Sequence, residues 1–122
     1  MPFKIIKPSP TNLDSNYFDD KVRVGFPMSD NIPQLLIYIG QDIAKKFGLK
    51  KGDRVVLLVD EDKDLWQIKK DNEGYKLAQA GTSLKLQMSW RENIPKNFGK
   101  SMQFVKTGDG DGNLQLDVSK PL

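Results

Sequence analysis

From Gln34 to Ile39 the chain alternates, with Leu35, Ile37 and Ile39 on one side and Leu36 and Tyr38 on the other, which predicts a strand covered on both faces. After a turn at Gly40 the period changes. Ile43 and Phe47 are four apart, so Gln41 to Phe47 reads as a short helix with both residues on one face. Gly48 suits the left-handed position that closes such a helix. Leu49 to Asp53 is a turn, and Arg54 to Val59 is a buried strand by its branched apolar content. The acidic loop Asp60 to Asp64 leads into Leu65 to Lys70, where Trp66 and Ile68 share a face, and the two strands make a hairpin. Asp71 to Gly74 turns into Tyr75-Lys76-Leu77, and Ala78 to Gly81 reads as a linker. Upstream, Val22 to Phe26 alternates as a short strand ended by Pro27 and expected at a sheet edge. Pro2, Pro8 and Pro10 mark residues 1–20 as an extended arm, because proline lacks the donor that a ladder requires.

The second half repeats this order. Leu84, Leu86, Met88 and Trp90 alternate in a strand, and Ile94 and Phe98 are four apart ahead of Gly99, as Phe47 stands ahead of Gly48. Pro95 replaces Ala44, which shortens the helix expected from Arg91 to Phe98. Met102 to Val105 is the next strand, Asp109 to Gly112 a hairpin tip, and Leu114, Leu116 and Val118 mark the returning strand. The Phe-Gly pairs are 51 apart (98 minus 47) and the returning strands 48 apart (114 minus 66), which places a loss of about three residues in the turn after the second helix. The expected organisation is one domain at 21–122, mainly β with short helices, built from two repeats at about 34–77 and 83–119.

Composition narrows the chemistry. With 122 residues and 38% hydrophobic content the chain is large enough for one core. Cysteine and histidine are both absent, which removes disulfides, thiolate nucleophiles, the usual zinc ligands and the usual neutral-pH base. No carboxylate, lysine or hydroxyl spacing pairs a nucleophile with a base, so the reading is non-enzymatic, with no catalytic residue, cofactor or metal. The start is too short and too charged for a signal peptide, and no apolar run approaches a membrane span, so a cytoplasmic protein without membrane contact is expected. The net charge of +3 is compatible with nucleic acid without requiring it.

The stretch from Leu36 to Val55, above all Gly48-Leu49-Lys50-Lys51-Gly52-Asp53-Arg54-Val55, resembles the AbrB/SpoVT swapped-hairpin (looped-hinge helix) family of bacterial DNA-binding proteins. The likeness runs from about Leu35 to Lys70, with a fainter echo from Leu84 to Val118. In that family two half-barrels, usually from two chains, exchange hairpins to complete one barrel. The resemblance therefore implies a small swapped-hairpin-type β-barrel, formed here as an internal pseudo-dimer that is monomeric rather than an obligate dimer. It implies a bacterial or phage regulator that contacts duplex DNA through a basic helix-turn surface of Lys45, Lys46, Lys50, Lys51 and Arg54. The chain departs from the family pattern at Gly40, where proline is usual, and at Ala44, where a DNA-contacting arginine is usual. The alternative is a non-enzymatic protein–protein interaction module, of phage origin, that keeps the barrel without DNA contact and engages its partner through the N-terminal arm.

Other motifs have blander readings. Trp66 and Tyr75, near Lys69, Lys70 and Lys76, resemble a stacking platform for single-stranded nucleic acid, yet Trp66 shares the face of Ile68 and is expected in the core, as is Trp90. Asp60, Asp62 and Asp64, like Asp109, Asp111 and Asn113, begin as a calcium loop begins but lack its glycine and terminal glutamate, so both are read as polar hairpin tips. Gly108, Gly110 and Gly112 are turn glycines without the lysine and helix of a phosphate loop.

Overall fold

The computed structural model describes residues 20–92, 94, 98 and 102–119. Ten strands form one antiparallel sheet: β1 (Val22–Gly25), β2 (Met28–Ser29), β3 (Ile32–Ile39), β4 (Arg54–Asp60), β5 (Leu65–Lys70), β6 (Tyr75–Lys76), β7 (Ala78–Ala80), β8 (Ser83–Ser89), β9 (Gln103–Gly110) and β10 (Asn113–Asp117). One short helix, α1 (Gln41–Lys46), is present among the described residues. The expected arm at 1–20, except Asp20, and half of the helix expected from Arg91 to Phe98 (residues 93 and 95–97) lie outside the described residues.

Hydrogen-bonded neighbours run β6-β4-β5-β10-β9-β1-β3-β8-β7, with β2 also on β3. The two strands at the ends of this path, β6 and β7, are consecutive in the chain and joined by Leu77, whose side chain is buried. The backbone itself thus brings the sheet round into a nearly closed barrel. Wrapping this way leaves few open edges, which a set of strands this short needs in order to share one interior.

The pairing carries an approximate two-fold. Adding five to the strand numbers turns β4–β5 into β9–β10, β2–β3 into β7–β8, and β6–β4 into β1–β9. The β3–β8 and β5–β10 ladders map onto themselves. In the first, Leu36 faces Gln87, 51 apart (87 minus 36), and in the second Gln67 faces Gln115, 48 apart (115 minus 67). Each ladder therefore joins equivalent residues at its midpoint, as the contact between two half-barrels requires. The departure lies at β6 and β8, which run side by side with no ladder among the described residues, where β1 and β3 share four residue pairs.

Three expectations need correction. β1 is not an edge strand; it sits between β3 and β9 because Val22 and Val24 are fully buried and both of its backbone edges are paired. β4 is buried only at Val55, and Leu58 and Val59 toward the hairpin tip are 44% and 40% exposed. The shortening of the second copy is mainly at the hairpin tip, where the two residues Asp111–Gly112 replace the four of Glu61–Asp64. The shorter loop is possible because Asp111 and Gly112 both take positive φ, 57° and 89°, the geometry of a tight hairpin turn.

Inside the barrel, β1, β3, β8 and β10 contribute Val22, Val24, Leu35, Ile37, Ile39, Leu84, Leu86, Leu114 and Leu116. An aromatic cluster drawn from both halves completes the interior: the Trp66 and Trp90 ring centroids are 5.2 Å apart, and Phe26 lies 6.1 Å from Trp66, 5.8 Å from Trp90 and 5.9 Å from Phe98. Tilted and edge-on packing of this kind adds to the stabilisation from burial alone. Ile94 does not join it and is 43% exposed.

Candidate nucleic-acid interface

Helix α1 and the turn after it cap one end of the barrel. Asp42 in the first turn and Lys45 and Lys46 in the last complement the helix dipole. The helix ends in a Schellman motif: the Leu49 amide donates to the Ala44 carbonyl (2.8 Å), the Gly48 amide to that of Lys45 (3.2 Å), and Gly48 adopts φ +67°. Ala44 and Leu49, the residues this motif brings together, are both buried, with Ile43 and Phe47 packed beside them. The turn is then locked by Asp53, whose Oδ2 accepts the Lys50 amide at 2.9 Å and sits 3.5 Å from Lys70 Nζ. Backbone bonds from Gly52 to the Leu77 carbonyl and from Leu77 to the Asp53 carbonyl tie it to the chain crossing between β6 and β7.

The five expected contact residues are all exposed, but they do not share one surface. Lys45, Lys50 and Lys51 line a groove of about 470 Å³ between the helix-turn and the β7–β8 hairpin, facing Gln79 and Thr82 over a floor of Ala44, Leu49 and Leu84. Lys46 turns away, its ammonium 5.8 Å from the Phe47 ring centroid. Arg54 donates from Nη1 to the Gly74 carbonyl at 3.1 Å and lines a separate depression with Asp53, Lys70, Asp71 and Glu73.

The charge of this end extends beyond the five. Lys70 Nζ and Lys76 Cε lie 3.8 and 4.0 Å from where side chains on Gly48 and Gly52 would begin. Residues 41–54 and 69–77 together hold eight cations (Lys45, Lys46, Lys50, Lys51, Arg54, Lys69, Lys70 and Lys76) against four carboxylates (Asp42, Asp53, Asp71 and Glu73). This excess of four exceeds the +3 of the whole chain, so the remainder is slightly acidic.

Among the aromatic candidates, Trp66 and Trp90 are in the core and Tyr75 is 50% exposed. The acidic tips use their carboxylates in their own turns: Asp60 Oδ1 accepts the Asp62 and Lys63 amides at 3.1 and 3.2 Å, and Asp109 Oδ1 the Gly112 amide at 2.7 Å.

A second group of residues was not singled out from the sequence. Register places Arg23 opposite Tyr38 on one side and Phe104 on the other, and Tyr38 opposite Lys85, so Phe104, Arg23, Tyr38 and Lys85 form a row across β9, β1, β3 and β8. The Arg23 guanidinium carbon is 5.4 Å from the Tyr38 ring centroid and 6.0 Å from that of Phe104, and Lys21 Nζ is 5.2 Å from the latter. Outward placement in each strand is readable from alternation, but the row is created by pairing between residues up to 81 apart (104 minus 23) and has no local signal. In comparisons with known proteins, no family model, curated protein or solved structure matches the chain.

Proposed function

We propose that the chain is a small, non-enzymatic DNA-binding regulator of AbrB-like architecture, in which the α1-turn end of the barrel grips the phosphates of duplex DNA. The observation that carries this reading is the concentration of eight cations against four carboxylates at that end, more than the net charge of the molecule. An excess of cations at one end of a molecule attracts a phosphate backbone, and those that reach it bind by releasing its counterions, which gives affinity without sequence reading. Lys45, Lys50 and Lys51, around a groove lined by no acidic residue, are the principal contacts. Ala44, buried at 5% exposure, contributes packing at the position where the resembled family carries a contact arginine.

Fluorescence anisotropy with a labelled duplex across a salt series tests this reading. Binding should weaken steeply with salt, and replacing Lys45, Lys50 and Lys51 together by alanine should flatten the log–log slope by about 2.7, three phosphate contacts at 0.9 each. Undetectable binding at low salt, or an unchanged slope in the triple variant, would remove the proposal. The apolar floor of the same groove favours a second reading, a protein-interaction module whose partner offers an apolar anchor flanked by acidic residues.

A further inference from the structure

β4 and β6 share only two residue pairs, Arg54 with Lys76 and Val55 with Tyr75, so β4 continues from Val56 to Asp60 with no strand on that side among the described residues. The bonds at the base of β4 fix the direction of its backbone groups. The Leu77 amide donates to the Asp53 carbonyl on the β6 side, and the Asp71 amide to the Arg54 carbonyl on the β5 side, so odd-numbered residues of β4 turn their N–H and C=O toward β6. Beyond Val55 these are Leu57 and Val59, whose backbone groups point out from an open sheet edge. The side chains there are apolar, with Leu57 half-buried and Leu58 and Val59 exposed. Edges that stay single are guarded by lysine, proline or a bulge, and the stretch from Val55 to Val59 has none of these.

The other half of the barrel closes without such an edge. Val59 pairs with Trp66 and Asp109 with Leu114 at equivalent places, so Leu57, Leu58 and Val59 correspond to Thr107, Gly108 and Asp109. β9 also outruns β1 beyond Val105, and there it is polar or glycine. The apolar edge therefore belongs to the surface of one hairpin and not to barrel closure. Charge along β4 selects its occupant. The strand starts at the cation-rich α1-turn end and finishes at a tip where Asp60, Glu61, Asp62 and Asp64 stand against Lys63 alone. A second copy laid antiparallel sets each acidic tip toward the other's basic end, whereas a parallel copy would set like charges together. With Leu58 opposite its own counterpart, Leu57 and Val59 of each copy exchange bonds with Val59 and Leu57 of the other, and every outward backbone group is paired. We infer that the outer edge of β4, from Val56 to Asp60, is a self-association surface through which two barrels join antiparallel about a two-fold at Leu58. Each barrel keeps its own core, so the dimer is reversible, and it does not depend on DNA binding at the α1-turn end.

Sedimentation equilibrium over a concentration series measures the association directly, and the weight-average mass should rise from that of one chain toward that of two. Leu58→Lys sets two like charges at the centre of the contact and should raise the dissociation constant about tenfold or more. Gly108→Lys, at the equivalent place on β9, should leave it unchanged. Cysteine reads the register, since the chain has none of its own. Leu58→Cys brings two thiols to a facing pair whose Cα atoms lie about 4.5 Å apart, within disulfide reach, so oxidised glutathione should convert this variant to a covalent dimer. Val56→Cys, on the same face, would lie four positions from its counterpart, about 13 Å along the strand, and should not cross-link. If Leu58→Lys does not give the wild-type circular dichroism spectrum, the two cysteine variants decide alone. The edge dimer is overturned by any of three results: a single-chain mass at every concentration up to about 1 mM, which would leave this edge to a strand of a different protein; a folded Leu58→Lys variant that associates as the wild type does; or equal cross-linking of Val56→Cys and Leu58→Cys.

Discussion

Gln67 and Gln115 face each other across the β5–β10 ladder, with Gln67 Nε2 donating to Gln115 Oε1 at 3.4 Å. They occupy equivalent places in the two hairpins, so this contact marks a point where the two halves meet through the same residue type. Asn113 Nδ2 also approaches Gln67 Oε1, at 3.5 Å, and the Gln67 amide lies over Gly110 at the end of β9. The absence of a side chain at Gly110 gives that amide its place.

Adding a methyl group at Gly110 and at Gly74 should have unequal costs. At Gly110 the new Cβ would meet the Gln67 side chain, 2.8 Å from its Cδ, and that side chain can swing aside at the cost of its bonds to Gln115 and Asn113. At Gly74 it would fall on the Val55 backbone, 2.9 Å from the nitrogen and nearer still to the carbonyl, inside the β4–β6 ladder where nothing can give. Gly110→Ala should therefore cost about 1 kcal/mol and Gly74→Ala about 3 kcal/mol in urea unfolding. Equal losses at the two sites would show that the Gly74 bend relaxes more freely than its packing implies.

How far the sequence discloses this molecule follows from the range of each interaction. The α1 stop at Gly48, the turn at Gly52 and the inward side of Trp66 are local and legible, because each depends on a left-handed residue or a two-residue period within a few positions. The central position of β1 was not legible: it pairs with β9, and nothing near Val22 announces a partner at Val105. Lys45 and Lys46 are adjacent and chemically identical, yet one lines the groove and the other covers Phe47, since a helix turns neighbouring residues about 100° apart. The aromatic–cation row depends on three registers at once and is visible only after folding.

Leu77 should matter more than its place at the end of the short Tyr75-Lys76-Leu77 stretch implied. It is 1% exposed, it joins the two ends of the sheet, and its amide and carbonyl bond to Asp53 and Gly52. Leu77→Ala keeps those backbone bonds and leaves a void under the seam beside β8, so a loss of about 3 kcal/mol is expected. An unchanged m-value with a lowered urea midpoint would indicate that the barrel still closes, whereas a lower m-value would show it opening at β6 and β8.

Asp53 separates a hydrogen bond from an ion pair. Asp53→Asn retains an acceptor for the Lys50 amide while losing attraction to Lys70, which is 55% exposed and so contributes little. Asp53→Ala removes both. Chemical denaturation should place the asparagine variant within about 0.5 kcal/mol of wild type and the alanine variant about 1 kcal/mol below it. A larger loss in the asparagine variant would assign the turn's stability to charge.

The division among the five basic residues gives the sharpest test of the duplex reading, because sequence alone treats them as one surface. Lys45, Lys50 and Lys51 line the groove, while Lys46 lies against Phe47 and Arg54 is bonded to the Gly74 carbonyl. If phosphates approach the groove, alanine at Lys45, Lys50 or Lys51 should each reduce the salt slope of duplex binding by about 0.9, and alanine at Lys46 by much less. Arg54→Ala should act mainly on stability, since it releases the bend at Gly74, with a fall of about 1 kcal/mol and little change in slope. Single variants measured over the same salt series decide the matter. Equal slopes for the Lys45 and Lys46 variants would mean that DNA reads the diffuse charge of the barrel end and not the groove.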